Sequence, residues 1–196
     1  GFGLFNLDPG ALPIWLEALL AVLLLDLAIY WQHRWLHALP WLWRMHRVHH
    51  TDTTLDASSA LRFHPLEMLL SLAYKCALAI ALGVDPAVML IFEALLSSFA
   101  LITHANLSLP PRLDAVLRWV LVTPAMHWIH HSNHRDEQQR NFGFHLSVWD
   151  RVFGSYAQHA RDRPQVFGVE GVGVARATGV VDLLREPFLE DPPNQA

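Results

Sequence analysis

Thirteen of the 196 residues are histidine, and twelve of these fall between His33 and His145. Their spacing carries more information than their number. His33-Arg-Trp-Leu-His37 reads HxxxH, His46-Arg-Val-His49-His50 reads HxxHH, and His127-Trp-Ile-His130-His131 repeats HxxHH. Helical residues at i, i+3 and i+4 share a face, so each group aims two or three imidazoles at one place, as a metal ion requires. These groups supply eight rings, and His104 makes nine. A catalytic zinc takes about three protein ligands and a structural one about four, so His33, His37, His46, His49, His50, His104, His127, His130 and His131 imply two metals. The lone cysteine, Cys76, excludes a thiolate cluster. Imidazole suits Zn, Cu, Fe and Ni alike, so ligand type does not choose among them. Neither the HExxH of zinc proteases nor the Glu-x-x-His of ferritin-like di-iron sites is present.

Ligating imidazoles usually donate their second N–H to a carboxylate or carbonyl, and candidates for that role stand nearby. Asp26, Tyr30, His33 and His37 follow one helical stripe, so Asp26 is expected either to orient His33, directly or through Tyr30, or to bond a neighbouring helix. Glu67, three residues after His64, is a second acid of this kind. His64 itself reads as a tenth ligand or as the residue that fixes entry into the next helix. His134 joins the metal face only if its helix runs past Ser132-Asn133, which suggests a stop. His145 lies in a turn after Gly143, and Asn106 is a further candidate for ligation or support. His159 falls in a polar segment and reads as solvated.

The elements that position these residues are apolar. Hydrophobic residues make up 53% of the chain and charged ones 16%, against about 25% charged in a soluble domain, so the chain lies in a bilayer or inside a large assembly. Leu12 to Trp31 has seventeen apolar residues in twenty, enough at about 1.5 Å per residue to cross a hydrocarbon core of about 30 Å. Residues 12–38 are therefore expected to form the first membrane helix, carrying the HxxxH. Residues 66–105 are expected to form a helical hairpin turning at Gly83-Val84-Asp85-Pro86, with Lys75 and Glu93 at similar depth and able to pair. Residues 106–196 complete a cap and tail, with Pro192-Pro193-Asn194-Gln195-Ala196 frayed. The fold class is an all-α integral membrane bundle of about three embedded helices under a helical cap that holds the histidines.

Arg34, Arg44, Arg47, Arg62, Arg112 and Arg118 flank the spans on the histidine side, and the hairpin turn has no basic residue. The positive-inside bias therefore puts the histidine cluster on the cytoplasmic side, with Trp31, Trp35, Trp41 and Trp43 as an interfacial belt. The chain opens on Gly1 on the opposite face, so either a span precedes it or its N-terminus is external. Small residues Ala73, Ala77, Ala79 and Ala81 on the hairpin are expected to permit either close packing or a groove by which a lipid enters beside the first helix. A net charge of −4 excludes the basic footprint of a nucleic-acid binder.

The ordered blocks resemble the fatty acid hydroxylase superfamily of integral membrane di-iron oxygenases, in its sterol desaturase-like branch. The resemblance runs from about Leu12 to Phe188. It is carried by Asp26 with His33-Arg34 and His37, by Pro40-Trp-Leu-Trp-Arg-Met-His46-Arg-Val-His49-His50, by Arg62-Phe-His64-Pro-Leu-Glu67, and by His104-Ala-Asn106-Leu. Thr123-Pro-Ala-Met-His127-Trp-Ile-His130-His131-Ser132, Asn141-Phe-Gly143 and Trp149-Asp150-Arg151-Val-Phe-Gly154-Ser-Tyr156 complete it. It implies two iron ions, with zinc able to replace them during expression, and O₂-dependent hydroxylation or desaturation of an unactivated C–H of a lipid such as a sterol or fatty acyl chain. It also implies a small electron-transfer protein of ferredoxin or cytochrome type, and at least one span upstream. The chain departs from the 2-hydroxylase branch where Ser108 stands at i+4 from His104. A membrane zinc hydrolase or transporter is the main alternative. A haem cytochrome would use His33 and His104 but leave both HxxHH groups idle.

Overall fold

The computed structural model describes residues 2–8, 10–162, 165–173 and 179–190; the tail from Pro192 to Ala196 lies outside them. Among the described residues the secondary structure is helical apart from two isolated antiparallel bridges, Leu121 with Leu146 and Ser132 with Phe167. Three helices are long and apolar enough to cross a membrane: α1 (Ile14–Ala38), α3 (Pro65–Leu82) and α4 (Pro86–His104).

Helix α1 stops because Pro40 disfavours the helical conformation at Leu39, which is extended, and Pro40 then starts α2 (Pro40–His50) at a position where a backbone N–H would have no partner within the helix. The hairpin turn is built as the sequence predicts. Gly83 takes the left-handed conformation, with φ 71°, and donates its N–H to the Ala79 carbonyl, while Asp85 caps α4 by accepting from the Ala87 N–H at 2.7 Å. A side chain at Gly83 would also collide with the 3₁₀ turn at Leu4–Asn6, which packs on this end of the hairpin, and Asn6 donates to the Gly83 carbonyl. Lys75 and Glu93 pair at 2.6 Å between the limbs.

Leu25 and Ile29 of α1 meet Phe92 of α4 in the core. The remaining surface of the hairpin is bare: Leu69, Leu72 and Ile80 on α3 and Leu90 and Ile91 on α4 are exposed, as expected of helices that face lipid.

The other helices are short and gather at the end where α1 and α4 finish and α3 begins. They are α5 (Pro111–Leu117), α6 (Pro124–His130), α7 (Arg135–Gln138), α8 (Val148–Val152) and α9 (Val180–Arg185). The segment from α9 to Phe188 folds back on α2, where Glu186 and Arg47, both wholly buried, pair at 2.8 Å. Of the four tryptophans expected in an interfacial belt, Trp35 and Trp41 are exposed, but Trp43 is 2% exposed. Its ring is covered by the Arg135 guanidinium at 4.3 Å and lies 4.9 Å from His37, because α2 turns that face inward along with its histidines.

Candidate metal centre

The nine clustered histidines are all buried, and they separate into two groups. His33, His37, His46, His50 and His130 form the first, and His49, His104, His127 and His131 the second; within each, one ring nitrogen per residue lies within 4.8 Å of all the others. The division cuts across the motifs. Helix α2 gives His46 and His50 to the first group and its i+3 residue, His49, to the second. Helix α6 does the reverse, giving His127 and His131 to the second and His130 to the first. Where the groups meet, the His50 and His131 rings stack with centroids 4.3 Å apart.

Hydrogen bonds at the backs of the rings set which nitrogen faces inward. The Nδ1–H of His33 donates to the Phe142 carbonyl at 2.9 Å and that of His130 to the Arg140 carbonyl at 2.8 Å. His46 Nδ1 donates to Glu67 Oε1 at 2.7 Å, and His104 Nδ1 to the Ala100 carbonyl at 2.7 Å. Each of these rings therefore presents an Nε2 lone pair.

A cation accounts for what is left over. In the first group the Nε2 atoms of His37, His46, His50 and His130 are buried with no hydrogen-bond partner, an arrangement that costs the full desolvation of each group unless an ion or water fills it. In the second, His104 Nε2 lies 3.0 Å from His49 Nε2, 3.0 Å from His127 Nε2 and 3.1 Å from His131 Nε2. An ion about 2.0–2.1 Å from each nitrogen, the usual metal–imidazole distance, sets neighbouring nitrogens roughly 2.9 to 3.4 Å apart. The residues fit metal ions in both groups. Burial, reinforced by the neighbouring rings, holds His49, His50, His127 and His131 well below the usual histidine range and brings His130 down to about 3. The rings are therefore neutral at pH 7, and a metal displaces no proton from them.

The supporting candidates are placed differently from one another. Glu67 stands behind His46, on a different helix, and not behind His64, which it follows by three residues. Asp26 does not reach His33. It accepts instead from His145 Nδ1 at 2.6 Å and from the Trp149 indole at 2.8 Å, because the loop after α7 passes between it and the cluster. Tyr30 bonds the Ser155 hydroxyl at 2.8 Å. His64 caps α3, accepting from the Leu66 N–H through Nδ1 and donating from Nε2 to the Leu184 carbonyl, so both its nitrogens are used. Helix α6 ends before His134, which starts α7 and faces Asp162 at 2.5 Å. Asn106 is exposed in the bend after α4. None of Asp26, Tyr30, His64, Asn106, His134 and His145 joins either group.

The loop at 140–143 emerges as a support that histidine spacing does not reveal. Asn141, at φ 53°, is held through its side chain by Met126 and Ala157, and Asp150 accepts from the backbone N–H of Phe142 at 2.7 Å and Gly143 at 2.8 Å. The carbonyls of Arg140 and Phe142 are thereby fixed on His130 and His33. The resemblance marks this block, but a carbonyl acceptor has no residue type to read.

A cavity of about 290 Å³ opens on the cluster between α1, α3 and α4, with His33 and His46 of the first group and His49, His104 and His127 of the second in its wall. Helix α3 contributes Met68, Ser71 and Lys75. None of Ala73, Ala77, Ala79 and Ala81, where a groove is expected, lines it, because those alanines point to the other faces of α3.

Comparison with known proteins gives a consistent picture. The family model described as fatty acid hydroxylase matches residues 18–155. The chain is 28% identical to an ornithine lipid hydroxylase of Rhizobium tropici over 92% of its own length and 53% of the relative's. It is 31% identical to the human alkylglycerol monooxygenase over 86% of its length and 36% of the relative's. A cholesterol 25-hydroxylase-like protein of Danio rerio is 28% identical over 75% and 58%. The chain thus spans between about a third and three fifths of these relatives. No solved structure matches it. With the family model covering every clustered histidine and the loop that supports them, the chain belongs to the fatty acid hydroxylase family.

Proposed function

We propose that this chain is the histidine-bearing core of a membrane lipid hydroxylase that holds two iron ions and uses O₂ and external electrons to oxidise an unactivated C–H. The observation that carries this reading is the pair of groups, five and four buried imidazoles, at the wall of a cavity bounded by helices whose outer faces are apolar. The printed names of the relatives concern ornithine lipid, alkylglycerol and cholesterol, which supports a membrane lipid as the substrate class.

Iron bound in the two groups would supply the activation of O₂, which imidazoles alone do not perform. The chain's own residues then have definable tasks. His33, His46, His104 and His130 keep their protons on Nδ1, through carbonyl or carboxylate acceptors, so that Nε2 stays free to ligate. Phe63, stacked on His49 at 4.5 Å, and the apolar walls of Ile29, Leu36 and Leu96 keep water from the reacting end and align a chain along the cavity. The basic residues around the cap support a cytoplasmic position for the cluster, where a small ferredoxin- or cytochrome-type protein would deliver electrons.

The test is isotopic. Lipids of a strain expressing the full-length protein under ¹⁸O₂ should contain a product carrying label, absent with His50→Ala or His130→Ala. If iron-loaded protein with a competent donor consumes no O₂ on any lipid pool, the reading fails.

A further inference from the structure

The cavity has a polar station distant from the histidines. Lys75 and Glu93 both line it, as do Gln32 and Ser71. The Lys75 ammonium donates to Glu93 Oε2 at 2.6 Å, and Gln32 donates to the Ser71 hydroxyl at 2.9 Å. Glu93 Oε1 is buried without a partner, and the ammonium has protons beyond the one that Glu93 takes. Packing alone does not explain the pair. Charged groups within membrane spans are costly, and this pair is only partly covered by the protein, with side chains 16% and 35% exposed.

Resting on the hydroxylase reading above, we propose that Lys75 and Glu93, with Gln32 and Ser71 beside them, bind an uncharged donor–acceptor group, a hydroxyl in the simplest case, carried by the lipid substrate. The pair is neutral as a whole, so a carboxylate would meet Glu93 and an amine would meet Lys75. A hydroxyl can accept from the ammonium and donate to Glu93 Oε1.

Helix geometry sets the distance to the oxidised carbon. Lys75 is eight residues along α3 from Glu67, which touches His46, and Glu93 is eleven residues along α4 from His104. At about 1.5 Å per residue these are roughly 12 Å and 16 Å. The cavity of about 290 Å³ is at the lower end of ligand pockets and suits a single chain. The substrate is therefore a single-chain segment with a hydroxyl-type group about 12 to 16 Å from the carbon that reacts.

Binding tests this without requiring turnover. Zinc-loaded full-length protein in nanodiscs is equilibrated with dodecan-1-ol or with its methyl ether, which lacks the donor, and retention is corrected for protein-free discs. A charge-assisted hydrogen bond should favour the alcohol at least about tenfold. The double variant Lys75→Met/Glu93→Met should lose that preference with two metals still bound. The charge-reversed variant Lys75→Glu/Glu93→Lys should retain part of it.

Equal retention of the two probes by the wild-type protein overturns the proposal, as does a preference that survives in the double methionine variant. If that variant does not fold, Glu93→Gln decides, with a severalfold loss of preference expected and no change overturning the site. A pair that only braces the hairpin would lower thermal stability when replaced and leave probe preference untouched. A preference that depends on the pair, in an iron-loaded protein that never consumes O₂, would fault the hydroxylase reading and leave the site standing.

Discussion

His46 on α2 donates its Nδ1–H to Oε1 of Glu67 on α3 at 2.7 Å, between two side chains that are both buried. The bond crosses from the cap to a membrane helix and fixes the direction of the His46 lone pair. Removing an acceptor of this kind commonly costs about 10- to 100-fold in metal affinity. Glu67→Ala should weaken the first centre by that factor in a chelator competition and leave the second, whose ring backed by a hydrogen bond is His104, near its original affinity.

Metal content should distinguish the histidines by group. His104→Ala removes a ligand from the second group alone and should reduce two bound ions toward one. His49→Ala likewise removes a ligand from the second group and His130→Ala one from the first, so each should lower occupancy of its own centre. His134→Ala and His159→Ala should leave two ions. His64→Ala should also leave two, but destabilise the protein by about 0.5–2 kcal/mol because it uncaps α3. Elemental analysis of each purified variant, with its thermal midpoint, checks all of these.

The buried rings also set a pH dependence for the metal-free protein. His49, His50, His127, His130 and His131 are held below the usual histidine range in the folded chain, whereas the unfolded chain takes up protons near pH 6.5. As pH falls below about 6.5 the unfolded state binds more protons than the folded one, so stability decreases by up to about 1.4 kcal/mol per pH unit for each such ring. Chelator-stripped protein should melt markedly lower at pH 5.5 than at pH 7.5. Bound metal should raise the melting temperature at both pH values and leave that difference in place, because the metal-bound rings hold no protons either.

Much of this was legible because it depends on short-range periodicity. HxxxH and HxxHH mark a helical face whatever the tertiary context, and the apolar runs with the Gly83 to Pro86 turn define the hairpin. The pairing of Lys75 with Glu93 follows from counting residues either side of that turn. What sequence did not disclose depends on how separate helices meet. Nothing in HxxHH says that its i+3 ring serves a different group from the other two. Asp26 lies on the same stripe as His33, yet a loop more than a hundred residues later supplies His145 and Trp149 to it instead.

Support from the 140–143 loop yields a separate prediction. Asp150 holds the Phe142 and Gly143 N–H groups, and burial raises its carboxyl above the usual carboxylate range. Asp150→Ala should release the Phe142 and Arg140 carbonyls from His33 and His130, lowering metal affinity at the first centre. The second centre should be less affected, as paired chelator titrations would show.

Glu186 ties the returning C-terminal segment to α2 through Arg47, with neither side chain exposed. Breaking a buried ion pair by removing one side chain costs up to about 3–5 kcal/mol, and the Arg47 guanidinium keeps its bond to the Glu186 backbone carbonyl. Glu186→Ala should lower the unfolding free energy by less than that full amount. The loss should be visible as a lower denaturant midpoint in both metal-free and metal-loaded protein.

The exchange of rings between α2 and α6 gives the two centres a shared and symmetric part: three histidines each, two from one helix and one from the other. Their inequality arises elsewhere. Helix α1 adds two rings to the first centre, His33 and His37, whereas α4 adds only His104 to the second, with Ser108 at i+4. The cap thus supplies a common frame, and the membrane helices set how each ion differs from its neighbour. Substitutions on α1 and α4 would therefore alter one group of rings at a time, while the frame that assembles both stays fixed.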